Sequence, residues 1–488
     1  MKDRASLAPG AQLTRANGSR RRGDEALRSA TTSKRRRWLL YFVMFEIACQ
    51  LGMLTSLLAP FRLVFRTASF AVSLVFLGLL SVRAESLSRP ARPAVLVLVI
   101  LALSLLNPTT NTLIAGSAQI ALYLAIVAPL FWVPRCRPDL ATLRRILLLF
   151  WAFHAVSALF GILQVYYPGR FQPAISSVMY AIGGVENLRY RNAFGAMMFR
   201  PMGLTDQPGG AGAAGLYSAL FGIAFLATDR RRLLRLLYSI GIVVGLACIY
   251  LSQSRATLVM LLLCTAVFVG TNMMRRLRMA VVKPKRHLQA RLLPLVLIIV
   301  VTGLTGSWWA FHIGGSQVTN RFSSLLTPTE TYQGSRGNAL RRDLGLLLSE
   351  YPLGAGLGRW GMMNYYFGDN SNSESGTLWS ETQWTGWLID GGIPLVLVYL
   401  AAIFLAFKFS LRVALRSDNG ELALWAAVVF AFNVAAFADT FDYAFFISQD
   451  GLNFWLFNAI LFSAALECKV DRTAKVKPAR TPFPFATA

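Results

Sequence analysis

The chain contains few charged residues, few histidines and few cysteines. Only 15% of its 488 residues are charged and 55% are hydrophobic, whereas soluble domains contain about 25% charged residues. The three histidines lie too far apart in the sequence to predict a zinc-binding cluster. None of the five cysteines falls in a segment that we predict below to be external, which excludes a disulfide-stabilised secreted fold.

Signatures of nucleotide binding are also missing. The sequence has neither a Walker A motif nor an Asp-x-Asp pair, so it does not indicate nucleotides or metal-bound nucleotide sugars. The glycine-rich stretch PLGAGLG (352–358) lacks the strand and helix context of a dinucleotide fingerprint. It indicates instead a sharp turn where backbone approaches backbone or a bulky ligand. We therefore expect no cofactor and no metal ion.

Long apolar runs are what the sequence contains instead. A bilayer core requires about 20 apolar residues per helix, and the runs predict an all-α polytopic membrane protein with about twelve transmembrane helices. The predicted spans lie near residues 38–58, 65–82, 94–107, 113–133, 146–166, 211–228, 236–251, 256–273, 292–309, 384–407, 421–438 and 452–466.

The distribution of basic residues predicts the sidedness of these spans. A net charge of +26 would indicate nucleic acid in a soluble protein. Here, 37 of the 49 Lys and Arg residues fall in alternate loops and in the termini. Because such loops stay in the cytoplasm, we predict that both termini are cytoplasmic and that no nucleic acid is bound.

These assignments divide the chain into three parts. Residues 1–37 form a basic cytoplasmic tail that we predict to be disordered, residues 38–466 form a single transmembrane domain, and residues 467–488 form a second cytoplasmic tail. Two long external loops are predicted at 168–210 and at 311–383, the larger one between spans nine and ten.

Polar motifs occur at the predicted external ends of the helices. The sequence SQSR (252–255) places Arg255 at the edge of the hydrocarbon, where arginine is costly unless it snorkels or meets an anion. Its guanidinium suits bidentate contact with a phosphate. The alternative interpretation is a snorkelling arginine that sets the helix register.

Two further motifs contain arginine. RPMGL (200–204) predicts a bent, rigid turn before a helix, with a purely structural role as the alternative. Residues 335–350 have the spacing of an amphipathic helix, with Arg336 on its buried-facing side. A charge aimed inward needs a partner, so Arg336 is either a site residue or a loop-fixing partner of Glu350 or Asp343.

Glu381 lies where the large loop re-enters the membrane. Partial desolvation there would raise the pKa of Glu381 toward that of a general base. Three tryptophans surround it, Trp379, Trp384 and Trp387. They form either an interfacial aromatic belt or stacking surfaces for sugar rings.

The order of these motifs resembles that in the O-antigen ligase and polysaccharide polymerase superfamily of bacterial membrane glycosyltransferases. RPMG (200–203) resembles the family's Arg-Pro-x-Gly turn, and SQSR, with Ser254 and Arg255, is similar to its Ser-x-Ser-Arg hinge. Arg336 is similar to the arginine that precedes the Pro-x-Gly-x-Gly turn, here 352–356. The resemblance covers about residues 199–400.

The last motif of the family is altered in this chain. Residues 381–392 resemble its helix with a His-Asn start and a Glu-x-Gly end. However, Glu381 and Thr382 replace the histidine and the asparagine, and Asp390 replaces the glutamate. A carboxylate also accepts a proton from a hydroxyl, so the resemblance implies Glu381 as the general base.

The resemblance implies a GT-C-like, inverting, metal-independent glycosyltransferase on the outer face of the bacterial inner membrane. Its donor would be a glycan on a polyprenyl diphosphate, bound by Arg255 and Arg336 with Arg200 and Ser254. Sugar rings would contact the nearby tryptophans, Trp379 and Trp384. The acceptor would be another lipid-linked glycan (polymerase) or lipid A core (ligase), and the missing histidine favours the polymerase. Polysaccharide export or assembly proteins are the implied partners.

A transporter or flippase of lipid-linked oligosaccharide, or of another anion, is the alternative. Transporters keep polar groups near the middle of the membrane, and Glu46 and His154 are the main buried candidates. Most polar residues lie outside the predicted spans, which favours the enzyme. A non-enzymatic assembly scaffold is a third interpretation.

Overall fold

The computed structural model describes residues 34–80, 88–183, 189–191, 197–207, 209–282, 322–371 and 375–476. Helices predominate in these ranges. They are α1 (Lys34–Leu54), α2 (Arg62–Leu80), α3 (Ala91–Ser104), α4 (Leu113–Val127), α5 (Pro129–Cys136), α6 (Leu140–Tyr166), α7 (Pro168–Phe171), α8 (Ser177–Gly183), α9 (Gly210–Thr228), α10 (Arg232–Leu251), α11 (Arg255–Val282), α12 (Pro328–Tyr332), α13 (Asn338–Glu350), α14 (Gly361–Phe367), α15 (Gln383–Arg416), α16 (Gly420–Asp439) and α17 (Gln449–Val476).

Several short elements lie between the helices. The 3₁₀ turns cover Ser56–Phe61, Ser324–Leu326 and Phe445–Ile447, and Gln333–Gly337 forms a π-helical turn. Strands β1 (Arg189–Arg191) and β2 (Met197–Phe199) pair antiparallel.

In the part of the chain that the structure describes, ten helices are long and apolar enough to cross a membrane. They are α1, α2 with the turn before it, α4 continued by α5, α6, α9, α10, α11, α15, α16 and α17. Helix α3 overlaps the third predicted span, 94–107, and at 14 residues it is shorter than these ten helices. The chain is therefore an all-α, multi-pass membrane protein. The predicted ninth span near 292–309 and most of both tails lie outside the described residues.

The loops separate to two ends of the helix bundle. At one end, Arg36 contacts Asp139 at 2.6 Å and Arg144 contacts Asp229 at 3.1 Å, which joins segments predicted to be cytoplasmic. The opposite end, which we call the loop-rich end, carries the connections predicted to be external. Within the described residues these are 55–61, 105–112, 167–209, 252–254, 322–382 and 440–448.

Helix α9 lies at the centre of the bundle and is its most buried span. It crosses α10 closely at Gly215 and Gly245. A Cβ on either glycine would lie 2.6 Å from the carbonyl oxygen of the other. Small residues allow such close backbone contact between membrane helices, so these two glycines set how α9 and α10 cross.

Helix α15 is kinked at Gly391 and Gly392, where the backbone leaves helical geometry and φ of Gly392 is +63°. The turn at 352–358 compensates for the lost helical hydrogen bonds. Ala355 N–H donates to the Ile389 carbonyl at 2.8 Å, and Ile393 N–H donates to the Pro352 carbonyl at 2.9 Å. The glycine-rich turn thus brings two backbones together, one of the two alternatives that its sequence predicts.

Asp390, beside the kink, is fully buried. Its carboxyl accepts hydrogen bonds from Trp360 Nε1 at 2.9 Å, Tyr123 hydroxyl at 2.8 Å and Gln119 Nε2 at 3.1 Å. Because these donors come from α4 and from the segment before α14, Asp390 ties two other parts of the chain to the kink of α15. Its environment is that of a structural residue.

Candidate functional site

Arg336 and Glu381 form an ion pair at the loop-rich end. Nη1 of Arg336 donates to Oε2 of Glu381, and Nε of Arg336 lies 3.8 Å from Oδ1 of Asp442. The two paired side chains keep 39% and 25% of their surface exposed, so the pair is accessible from solvent. The partners of Arg336 are thus Glu381 and Asp442, not Glu350 or Asp343. Sequence reasoning missed Asp442.

The helix predicted over 335–350 starts later than expected. Its α-helical part begins at Asn338, and Arg336 lies in the π-helical turn that precedes it. Gly334 and Gly337 flank this arginine, and glycine is a poor helix former. The wider turn directs Arg336 to the start of α15 rather than along α13.

The start of α15 fixes the position of Glu381. Thr382 is the N-cap, and its hydroxyl accepts from Thr385 N–H at 3.4 Å. The backbone N–H of Gln383 donates to the Thr440 carbonyl at 3.1 Å, and its side-chain Oε1 accepts from Phe446 N–H at 2.6 Å. The helix start is therefore attached to the connection 440–448, which also carries Asp442.

The three tryptophans near Glu381 differ in how much of their side chain is exposed to solvent. Trp387 is fully buried and belongs to the core. Trp384 is half-buried; its Nε1 donates to the Thr440 hydroxyl at 3.1 Å, and its ring lies against Phe441. Trp379 is 54% exposed. Trp379, two residues before Glu381, thus presents the largest free aromatic surface of the three.

Arg255 begins α11 at the same end of the bundle. Its Nη1 donates to the Ser324 hydroxyl at 2.5 Å. The hydroxyl of Ser254 bonds that of Thr257 at 2.5 Å, and φ of Gln253 is +52°, which is unusual for a residue other than glycine. The hinge is thus tightly folded, with the Arg255 side chain directed to the segment after residue 321.

The segment 322–337 links Arg255 to Arg336. Thr331 hydroxyl donates to the Ser324 carbonyl at 2.7 Å, and Tyr332 hydroxyl donates to the Phe441 carbonyl at 3.3 Å. Burial and the nearby Asp442 carboxylate raise the pKa of Tyr332, while Arg336 lowers it. Since the net shift of its pKa is upward, the Tyr332 hydroxyl stays neutral and can donate a hydrogen bond beside Arg336 and Asp442.

The turn that contains Arg200 is anchored elsewhere. Gln164 Oε1 on α6 accepts from the N–H groups of Met202 and Gly203, both at 2.8 Å. The Arg200 carbonyl accepts from Gln172 Nε2 at 3.2 Å. These contacts fit the structural interpretation of the RPMG motif. The structure brings Arg336 and Glu381 into contact and links Arg255 to them, while the turn at Arg200 is fixed to α6.

A second feature is a cavity of about 140 Å³ between α1, α2, α6, α9 and α17, whose wall includes several charged and polar side chains. We call it the polar cavity. Arg66 and Asp206, both buried, form an ion pair in its wall. Arg66 also donates to Ser176 Oγ and to the Tyr366 hydroxyl, both at 3.2 Å. Sequence reasoning missed this pair, although an arginine inside the apolar run 65–82 is a signal that could have found it.

Two carboxyls and a histidine line the same cavity: Glu46, Asp450 and His154. Asp450 accepts from Tyr217 hydroxyl and from Tyr443 hydroxyl, each at 3.0 Å. The structure thus places Glu46 and His154, the two buried candidates of the transporter interpretation, together. Asp450 was not expected from the sequence, because its role depends on which helix α17 packs against.

Within the described residues, no group of three or more His, Cys, Asp and Glu side chains is arranged to hold a metal ion. Neither the comparison with protein-family models nor that with curated proteins finds a match to the chain.

Proposed function

We propose that the protein is a membrane glycosyltransferase. It would take glycans from polyprenyl-diphosphate donors at the outer face of a bacterial inner membrane, in O-antigen, capsule or exopolysaccharide assembly. The observation that carries this proposal is the contact of Arg336 with Glu381, a diphosphate-binding group beside a proton acceptor. The motif resemblance of residues 199–400 adds support.

Each residue then has a role in one inverting step. Arg336 and Arg255 hold the diphosphate and stabilise the charge that develops on it as it leaves. An acceptor hydroxyl attacks the anomeric carbon from the opposite face, forming the new C–O bond while the bond to the diphosphate breaks. Glu381 takes the hydroxyl proton, and polyprenyl diphosphate departs with the electron pair. Trp379 offers a stacking face for a sugar ring.

The ion pair suggests how donor binding prepares the base. In the structure Oε2 of Glu381 is occupied by the Arg336 guanidinium. A diphosphate is a stronger bidentate partner for arginine than a single carboxylate oxygen. A donor that recruits Arg336 would therefore release Glu381 to accept the proton of the acceptor.

The test uses purified protein in nanodiscs with a fluorescent polyprenyl-diphosphate oligosaccharide. We expect longer glycans and released polyprenyl diphosphate with the wild type. Glu381→Gln should reduce turnover by at least about a hundredfold, the usual contribution of general-base catalysis. Arg255→Ala should reduce it by a similar factor, because the charge on the departing diphosphate loses its stabilising partner. Glu350→Gln, an exposed carboxyl on α13, is the matched control and should keep wild-type turnover.

Two results would contradict the proposal in different ways. Normal turnover in Glu381→Gln would remove the general-base assignment while leaving the enzyme. Movement of the labelled lipid across proteoliposome membranes without a new glycosidic bond would show the transporter.

The polar cavity is the observation that favours the transporter as a second candidate function. It places Glu46, His154 and Asp450 inside the helix bundle, where transporters bind their coupling ions or substrates. The site at Arg336 and Glu381 lies at the loop-rich end instead, where the proposed transfer reaction requires it.

A further inference from the structure

The polar cavity contains more negative than positive charge. Its described lining includes the carboxyls Glu46, Asp206 and Asp450. Arg66 is the only Arg or Lys among those lining residues, and it is paired with Asp206. Glu46 and Asp450 therefore share this cavity without an arginine or lysine partner from that lining. A buried carboxylate is tolerated only when a positive charge or a proton compensates it.

Several polar atoms around Glu46 have no hydrogen-bond partner. Oε2 of Glu46, Oε1 of Gln50 and Oδ1 of Asn453 are three such oxygens, and Glu46 and Asn453 are each more than nine-tenths buried. An unpaired buried oxygen costs about 1–3 kcal/mol unless a ligand or water satisfies it. These three oxygens and the Asp450 carboxyl offer ligands for a positive or hydrogen-donating occupant, and two unpaired nitrogens, Gln449 Nε2 and His154 Nδ1, also line the cavity.

The arrangement follows from two helices with matched spacing. Glu46 and Gln50 are four residues apart on α1, and Gln449 and Asn453 are four residues apart on α17. Residues at this spacing lie on one face of a helix, so α1 and α17 present their polar faces to the same cavity. Ser69 on α2 donates to Gln449 Oε1 at 2.8 Å, which orients that amide.

The geometry points to a monovalent-cation site in the polar cavity, in which Glu46 binds sodium or a proton. Carboxylate and amide oxygens are the ligands that hard cations prefer. The charged and titratable groups that line the cavity with Glu46 are Asp450 from α17, His154 from α6, Tyr217 from α9, Arg66 from α2, Asp206 from the turn before α9, Tyr366 from α14, and Cys49 from α1 itself. The aromatic rings of Tyr217 and Phe150 flank His154, which keeps its imidazole within the cavity wall. This site does not depend on the proposed transferase activity.

Sodium and a proton differ in the number of oxygen ligands that they require. Sodium requires several oxygens, so the amides of Gln50 and Asn453 contribute to its binding. A proton requires only the Glu46 carboxyl and converts it to a neutral carboxylic acid, while leaving the amides free to bind water. Variants of the amides therefore separate sodium from the proton, and variants of Glu46 remove both.

The experiment measures binding of radioactive sodium to the purified full-length protein in nanodiscs, with unlabelled sodium chloride as competitor. If sodium is the ligand, binding is saturable, is lost in Glu46→Gln, and weakens by at least about tenfold in Gln50→Ala and Asn453→Ala. Glu421→Gln is the control, because Glu421 is a half-exposed carboxyl at the opposite end of the bundle. It should bind sodium as the wild type does.

If sodium does not bind, infrared difference spectra during an alkaline titration test the proton. A carboxylic-acid C=O band that disappears on titration in the wild type and in Glu421→Gln, and is missing in Glu46→Gln, supports the proposal. The proposal is overturned if neither signal appears in protein that elutes as a single folded species. It is equally overturned if sodium binding is unchanged in the Glu46, Gln50 and Asn453 variants.

Discussion

The pair of Arg336 and Glu381 has two interpretations. It is either a structural ion pair, or a diphosphate-binding arginine beside the general base of the reaction. Both residues keep part of their surface exposed, and exposed pairs contribute at most about 1 kcal/mol to stability. A large effect of either residue on activity would therefore not come from unfolding. The two side chains can therefore be exchanged by mutation without unfolding the protein.

We predict that exchanging the two charges separates these interpretations. Arg336→Glu alone places a carboxylate beside Glu381 and Asp442, which lowers the thermal midpoint. Adding Glu381→Arg restores an opposite-charge pair and most of the midpoint. Turnover of the polyprenyl-diphosphate oligosaccharide stays lost, because the guanidinium and the base have changed places. Recovery of turnover together with the midpoint would show that the pair is structural only.

Unlike the partly exposed pair of Arg336 and Glu381, Asp390 is a motif residue that is fully buried and hydrogen-bonded within the protein. Asp390→Ala removes the acceptor of three buried donors, and each donor left unpaired costs about 1–3 kcal/mol. We predict a large fall in the thermal midpoint in detergent, whereas Glu350→Ala on the exposed side of α13 leaves it unchanged. Equal midpoints for the two variants would contradict the assigned hydrogen bonds.

Among the helices, α15 contains a kink that is stabilised by a separate segment of the chain, the turn at 352–358. Both of its halves are apolar, so a continuous span was predicted near 384–407, but Gly391 and Gly392 interrupt the helix. The turn at 352–358 fits against the interruption because glycines there leave room for backbone contact. A Cβ on Gly392 would lie 2.3 Å from the Pro352 carbonyl oxygen.

We predict that Gly392→Ala destabilises the protein by at least about 1 kcal/mol, since alanine is strained at its positive φ and meets the Pro352 carbonyl. Gly270→Ala on α11 is the control. A Cβ there has no neighbour within 4 Å, so alanine should stabilise the helix slightly. Thermal unfolding in detergent distinguishes the two. Similar midpoints would mean that the turn and the kink separate without cost.

At the level of the whole molecule, the helix bundle has two distinct ends, one with the predicted cytoplasmic segments and one with the predicted external loops. Segments predicted to be cytoplasmic meet through Arg36 with Asp139 and Arg144 with Asp229. The arginines of the candidate site lie at the loop-rich end. If the basic end faces the cytoplasm, the proposed reaction takes place outside it.

We predict that a membrane-impermeant maleimide labels Gly334→Cys in spheroplasts and labels Gly420→Cys only after the membrane is permeabilised. Both glycines are exposed at opposite ends of the bundle, and the five native cysteines are replaced beforehand. The reverse pattern would place the candidate site in the cytoplasm. It would then contradict the proposed outer-face reaction.

The sequence alone determined the class of protein, most spans and the identity of the arginines and carboxyls at the helix ends. Apolar runs and Lys/Arg-rich loops are local features, because each reports how a short stretch partitions between lipid and water. The tertiary structure decided which of those side chains meet. Arg336 contacts Glu381 and Asp442, Asp390 holds a kink, and Glu46 shares a cavity with Asp450, about 400 positions away. Such pairs depend on how helices pack against one another in three dimensions, which no local pattern in the chain encodes.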